Sequence, residues 1–405
     1  MLSDTTIATV KATVPLLRQA GQAVVARFYE LLMREPGVAG LFNHSHQGPD
    51  GAQTKALAGA VLAYAENIDN LAALLPAVER IAAKHVSMDV RPEHYAVVGR
   101  CLLAALADVA GEAATPAVLA AWGEAYGVLA DVFVRREEEL YQGRAAAPGG
   151  WRGHRAFVVE RVVPESAEVA SFHLRPADGG ALAPYLPGQY VGVRADIPGH
   201  GAVVRNYSLS AAPGGDTYRI SVKRHPRGLF SGWLHAAGAG ARLELTAPAG
   251  DFFLKPDQAR PVVLLSGGVG LTPMVAMLES IAATRPNLKA WYVHAARDGL
   301  RHAMRDAVRA IEERCPNVTA VTFYEAPRPE DQQGRDYDLP GRVTADWLWR
   351  TLPLSGCDVF VCGPRPFMAA VVAGLTARGL PADRLHHEFF GPAEPLEAEV
   401  EEQAA

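Results

Sequence analysis

The spacing of apolar residues changes character twice along this 405-residue chain, and those changes limit its folds more than any motif does. Up to about residue 143, apolar groups return at helical intervals, broken only at Pro36-Gly37, Gly48 to Gly51 and Gly111 to Pro116. From Arg155 onward they alternate with polar residues in short runs parted by Pro and Gly turns. After Pro256, short apolar runs such as Val262-Val263-Leu264-Leu265 take turns with helical stretches. The pattern predicts a multidomain protein: an all-α domain over 1–143, a linker at 144–151, an antiparallel β-barrel over 152–256, and a parallel α/β sheet over 257–393. The acidic tail, 394–405, is expected to be disordered.

Strands are expected at Ala156 to Val163, Ala167 to Leu174, Gln189 to Ala195, Val203 to Ala211, Tyr218 to Lys223 and Arg242 to Leu245, and then at Ala290 to Val293, Thr319 to Phe323, Asp358 to Val361 and Leu385 to Phe389. A composition of 49% hydrophobic and 20% charged residues is ordinary for soluble globular domains. A net charge of -5 without a basic run argues against nucleic acid as a partner. Four cysteines, Cys101, Cys315, Cys357 and Cys362, show neither metal-ligand nor disulfide-scaffold spacing. Together with an N-terminus that lacks a signal-peptide pattern, they predict a reducing, cytoplasmic setting. The uncharged stretch Pro261 to Leu278 is long enough to raise a membrane span, but Gly267-Gly268, Gly270 and Pro273 favour strand, turn and helix. No stable span is expected, and the protein reads as a monomer.

In the helical region Val78, Ile81, Ala82 and His85 share a spacing that puts His85 on a buried stripe. A buried imidazole needs a partner: a backbone carbonyl in an ordinary core, or a carboxylate. The last helix repeats apolar groups at Leu119, Trp122, Tyr126, Leu129 and Phe133, and the next step lands on Glu137. Periodicity admits two readings of Glu137, an inward partner of His85 or a solvated member of Glu137-Glu138-Glu139. The first would make a metal, imidazole, carboxylate arrangement. Val25, Phe28, Tyr29 and Leu32 share another face, and Gln53 with Leu57 lies one turn apart on a further helix. A Tyr and a Gln facing an apolar cavity suit a small polar ligand.

Near mid-chain, Arg205-Asn206-Tyr207-Ser208 places a guanidinium, an aromatic ring and a hydroxyl on one strand. These are what a flavin with a pyrophosphate tail requires, although an alternating surface strand has the same pattern. Tyr190 follows Pro187-Gly188-Gln189, and Gly228 to Ser231 opens a short helix whose first N–H groups suit pyrophosphate. Further on, Gly268-Val269-Gly270-Leu271-Thr272-Pro273 joins a buried strand to a helix, a G-x-G-x-x-P variant of the dinucleotide loop or a plain turn. Thr272 is expected to cap that helix, with Pro273 in its first turn. Cys362-Gly363 follows another strand at the sheet edge where ligands bind. Arg297 and Arg301, after the strand at Ala290 to Val293, face either a coenzyme 2′-phosphate or solvent, so NADH and NADPH stay open.

The inward His85, the helix count and the Phe42-Asn43 corner resemble a globin, and the ordered flavin and nucleotide pieces resemble a ferredoxin-reductase module. The combination over roughly residues 5 to 392 resembles the flavohemoglobins, which are nitric oxide dioxygenases. That resemblance implies heme b, FAD and NAD(P)H as cofactors, and O2 and NO as small-molecule partners. His85 would be the proximal iron ligand, with Tyr95 and Glu137 bonded to it, Tyr29, Gln53, Leu57 and Phe42 near the distal side, and Lys84 at the heme edge. Cys362-Gly363 would lie by the nicotinamide, and Glu388-Phe389-Phe390-Gly391-Pro392 would set an aromatic ring against the flavin. The family often has Cys where Phe389 stands here. The rival readings are an O2 or NO sensor or store with an attached reductase, and an NAD(P)H-dependent reductase of other acceptors.

Overall fold

The computed structural model describes residues 2–35, 38 and 51–391. The chain forms two compact units, one built on Met1–Ala146 and one on Ala147–Ile197 with Arg205–Phe390.

The first unit is helical: α1 (Asp4–Ala12), α2 (Val14–Leu32), α3 (Ala52–Glu66), α4 (Leu75–Ser87), α5 (Pro92–Ala110) and α6 (Pro116–Ala146). Ser3 caps α1 by accepting from Thr6 N–H, and prolines in the first turns of α2, α4 and α5 start those helices at no hydrogen-bond cost. The stripe of α2, Leu17, Val24, Val25, Phe28, Tyr29 and Leu32, is buried against apolar residues of α3, α5 and α6. A second cluster joins Val78 and Ala82 of α4 to Phe133 of α6, and half-buried Leu129 touches both. Among the described residues α6 is long and apolar enough to cross a membrane by length and composition alone. It also buries Trp122, Phe133 and Glu137 in this unit. It runs on through Ala146, three residues past the end of the expected helical region.

The second unit holds two sheets. The first is antiparallel in the order β4-β3-β6-β1-β2-β5, from β1 (Arg155–Pro164), β2 (Val169–Pro176), β3 (Tyr190–Ile197), β4 (Gly201–Ser208), β5 (Tyr218–Lys223) and β6 (Arg242–Leu245), with α7 (Leu229–Ala237) between β5 and β6. The second carries β7 (Val262–Gly267), α8 (Leu271–Thr284), β8 (Ala290–Ala296), α9 (Arg305–Arg314), β9 (Val318–Tyr324), β10 (Leu339–Pro340), α10 (Ala345–Thr351), β11 (Asp358–Cys362), α11 (Arg365–Ala377) and β12 (Leu385–Glu388). Its strands are parallel in the order β10-β9-β8-β7-β11-β12, so the order reverses at β7, where β8 lies on one side and β11 on the other.

The expected strands all form, Tyr218–Lys223 and Arg242–Leu245 with the ends expected and the others with shifted ends. The strand expected to reach Ala211 stops at Ser208, and only Leu209 continues it as a bridge to Ile220. The strand expected from Ala167 begins at Val169, because Glu165 and Ser166 turn back to bond the Val169 carbonyl. The stretch Pro261 to Leu278 is strand, turn and buried helix. The two-residue β10 had no legible signal, being too short to show a period.

Candidate functional site

Of the two readings that periodicity left open for Glu137, the structure has the inward one. On α4, Val78 and Ala82 are buried and His85 continues their stripe with its side chain one-third exposed. α6 brings in Glu137, which is 2% exposed, and α5 brings in Tyr95. His85 Nδ1 lies 2.7 Å from Glu137 Oε1 and 2.9 Å from the Tyr95 hydroxyl, which donates to the same Oε1 at 2.5 Å. A carboxylate oxygen accepts, so the ring proton sits on Nδ1 and Nε2 keeps its lone pair. Burial, then the Glu137 charge, pushes the Tyr95 phenol up, so it stays a donor. Tyr126, not singled out as a site residue from the sequence, fixes this turn by donating to the Tyr95 carbonyl at 2.7 Å. The Phe133 ring stands 5.5 Å from the imidazole. Lys84, one residue before His85, is exposed.

In the same unit Tyr29 is 4% exposed and hydrogen-bonded to Gln53, and burial holds its phenol protonated by pushing its pKa up. Leu57, one turn beyond Gln53, packs half-buried on the α2 core. Phe42 lies outside the described residues. Among the described residues no three His, Cys, Asp or Glu side chains gather to hold a metal ion. An iron at His85 would fit as part of a group that brings most of its own ligands. Half-buried apolar side chains, Leu57, Val61, Val98, Leu102, Leu129 and Val132, are suited to such a flat apolar group.

On β4, Arg205, Asn206 and Tyr207 are half-buried and Ser208 is buried. The Ser208 hydroxyl has no hydrogen-bond partner among the described residues. A buried orphan hydroxyl is costly, and a polar ring edge of a flavin would satisfy it. The Tyr207 ring lies 5.8 Å from Phe230 of α7, and burial depresses the Arg205 guanidinium's pKa, which a bound anion would offset. Ser231 accepts from His225 N–H at 3.1 Å and so shapes the loop, while a Cβ on Gly228 would come within 2.5 Å of its Oγ. The ring of Tyr190 covers Gly250, where an added Cβ would lie 2.8 Å from Cε1.

At the carboxyl end of β7, Gly268 has φ +52° and Gly270 is pressed onto the β11 end, where an added Cβ would stand 2.3 Å from the Cys362 carbonyl. Gly363 is equally confined, by Phe367 at 2.7 Å. Val269 is half-buried, and Leu271 and Pro273 are buried. The expected Thr272 cap is corrected: Gly270 is the N-cap, and Thr272 sits inside the first turn with its hydroxyl donating to the Val269 carbonyl at 3.2 Å. The buried Cys362 pairs in register with Glu388, and burial with the Glu388 charge pushes its thiol up, away from thiolate chemistry. Phe389 packs into the apolar layer beside α11, whereas Phe390 is 46% exposed and is the ring free to cover a flat ligand. Gly391 is half-buried, and Pro392 lies outside the described residues.

Three family models match in this order: Globin over 25–133, Oxidoreductase FAD-binding domain over 156–254 and Oxidoreductase NAD-binding domain over 264–373. The chain is 49% identical over 398 residues to a flavohemoprotein of Bordetella parapertussis, covering 96% of this chain and 99% of that one. It is 45% identical to a flavohemoprotein of Bacillus thuringiensis subsp. konkukian, covering 98% and 100%. A crystal structure of a flavohemoglobin from Malassezia yamatoensis with bound FAD and heme superposes with TM-score 0.85 at 27% identity, over 96% of this chain and all of that one. The FAD/NAD-binding domain of a nitric oxide dioxygenase from Vibrio cholerae is 39% identical, with TM-score 0.53, over 60% of this chain and all of that one.

Proposed function

Because the chain belongs to the flavohemoprotein family, we propose that it is an NAD(P)H-dependent nitric oxide dioxygenase, an oxidoreductase whose cofactors are heme, FAD and NAD(P)H. Two NO and two O2 take the two electrons of one NAD(P)H and leave as two nitrates, NAD(P)+ and one proton. When bound, NAD(P)H supplies hydride, FAD converts the electron pair to single electrons, and heme supplies an iron that binds dioxygen. His85 presents Nε2 to the iron, and Glu137 with Tyr95 holds the Nδ1 proton, which fixes the ring and enriches its donor nitrogen. Tyr29, kept protonated by burial, and Gln53, hydrogen-bonded to it, would be the donors available to a small polar ligand held on the heme.

In the second unit Arg205 and the first turn of α7 would hold the flavin pyrophosphate, Tyr190 and Tyr207 would supply aromatic surface for the ring system, and the unpartnered Ser208 hydroxyl would be free for one of its polar atoms. The tight loop from Gly268 to Pro273 would receive the nucleotide phosphates, Cys362-Gly363 would border the nicotinamide, and the exposed Phe390 would be the ring that covers the flavin. The working parts follow the divisions 1–143, 152–256 and 257–393. We place the protein in the cytoplasm as a monomer, a reading supported by four buried cysteines that form no disulfide.

The observation that carries the reading is the buried Glu137 and half-buried Tyr95 pair on His85 Nδ1, which a storage globin does not require. The test is coenzyme oxidation by aerobic, heme- and FAD-loaded protein during nitric oxide additions, with nitrate measured as product. Rapid NO-dependent oxidation with matching nitrate, abolished in H85A, is expected. Slow oxidation indifferent to nitric oxide overturns the assignment.

A further inference from the structure

The loop from Gly268 to Pro273 is held differently on its two sides. Towards β11 the hold is steric. An added Cβ on Gly267 would stand 3.1 Å from Pro364 Cδ, one on Gly363 would stand 3.0 Å from the Gly267 nitrogen, and Gly270 is pressed onto the Cys362 carbonyl. Towards β8 the hold is a hydrogen bond. Ser266, the residue before Gly267, pairs in register with Cys362 on one side and His294 on the other, and its Oγ lies 2.9 Å from His294 Nδ1. Both side chains are fully buried.

This imidazole is costly where it stands. Its Nε2 has no hydrogen-bond partner among the described residues, and burial pushes the ring's pKa down, which keeps it neutral. An apolar side chain would fill the same space without stranding a nitrogen, so stability alone does not account for a histidine here. What the imidazole does provide is a hydrogen bond to the last side chain before the loop. The ring is itself braced. It stacks on His302 at 4.9 Å, and His302 Nδ1 lies 3.0 Å from the hydroxyl of Tyr324, the last residue of β9. These contacts join the ends of β7, β8 and β9, so the loop rises from a fixed point.

We propose that His294 is a positioning residue for the coenzyme: through Ser266 it fixes the start of the loop and so keeps the loop's backbone N–H groups where a phosphate meets them. The proposal rests on the NAD(P)H-oxidising reading above. The test is steady-state reduction of a ferric chelate by full-length, heme- and FAD-loaded protein, with NADH or NADPH, whichever is oxidised faster, as the varied substrate. H294L and S266A should each raise the coenzyme KM about fivefold and lower kcat less than about twofold, with flavin content unchanged. The double variant should be no worse than either single one, because both remove the same bond. H294N, whose amide reaches Ser266 from the place of Nδ1, should restore most of the affinity. A flavin-loaded S266A or H294L with an unchanged KM overturns the proposal, as do effects that multiply in the double variant or an H294N no better than H294L. Should H294L fail to fold, S266A, which removes only a hydroxyl, decides. Nitrate formation from nitric oxide is read in parallel. Unchanged KM values with intact nitrate formation remove only this inference, and raised KM values without nitrate remove only the dioxygenase reading.

Discussion

Glu137 shows how much one side chain can change the chemistry of its neighbour. It is a nearly fully buried carboxylate with two donors on one oxygen, and one of them is the His85 ring, proposed above to hold the iron. Replacing it with Gln keeps the shape and removes the charge. Nitrate turnover should fall about tenfold, and the iron–histidine stretching frequency should drop with it, while the melting curve stays in place. Unchanged turnover and frequency would mean that Glu137 only fills space. Leu at the same position is a harsher change, because it leaves the partly exposed His85 N–H and the half-buried Tyr95 hydroxyl without their acceptor and should cost about 1 kcal/mol of stability.

Among the elements, β8 carries a titratable load. His294 is fully buried with Nδ1 2.9 Å from Ser266 Oγ, and its ring stacks on His302 at 4.9 Å, whose Nδ1 lies 3.0 Å from the Tyr324 hydroxyl. Burial lowers the His294 pKa to about 4 and takes that of His302 well below the ordinary value. The fold holds both rings neutral, whereas an unfolded chain protonates them near pH 6.5. Their contribution is therefore intact above about pH 6.5 and is lost as pH falls towards 4, by about 1.4 kcal/mol per pH unit for each ring. Denaturant unfolding at pH 7 and pH 5 should show this loss, and H294Q should make it shallower. An identical pH slope in the variant would place the acid sensitivity elsewhere. The glycine loop after β7 works by the opposite device, since nothing there titrates and the close approach of Gly270 to the Cys362 carbonyl holds it in place.

At the level of the whole molecule, His85 lies in one compact unit while Arg205 to Ser208, Gly268 to Pro273 and Cys362-Gly363 lie in the other, and each unit has its own core. A fragment of residues 152–405 should fold, bind FAD and pass electrons from coenzyme to a soluble acceptor such as a ferric chelate. It should consume no nitric oxide. Nitric oxide consumption by that fragment at the full-length rate would remove His85 from the reaction. A fragment that fails to bind FAD would show that the first unit is needed to complete the flavin site.

The sequence by itself determined the kind and order of the elements, because hydrophobic period is a local property that a strand or helix displays along its own length. It also placed the tight turn after β7, since Gly268 and Gly270 stand where a strand must turn into a helix. Periodicity left Glu137 undecided between core and solvent, and only packing against α4 and α5 turned it onto His85, 52 residues away. The same holds for Arg301, whose partner Glu168 is 133 residues distant, and for Thr272, whose hydroxyl lost its expected capping place to Gly270. In each case the choice lies between partners brought together through space, and the energy that decides it exists only once burial has removed water from the competition.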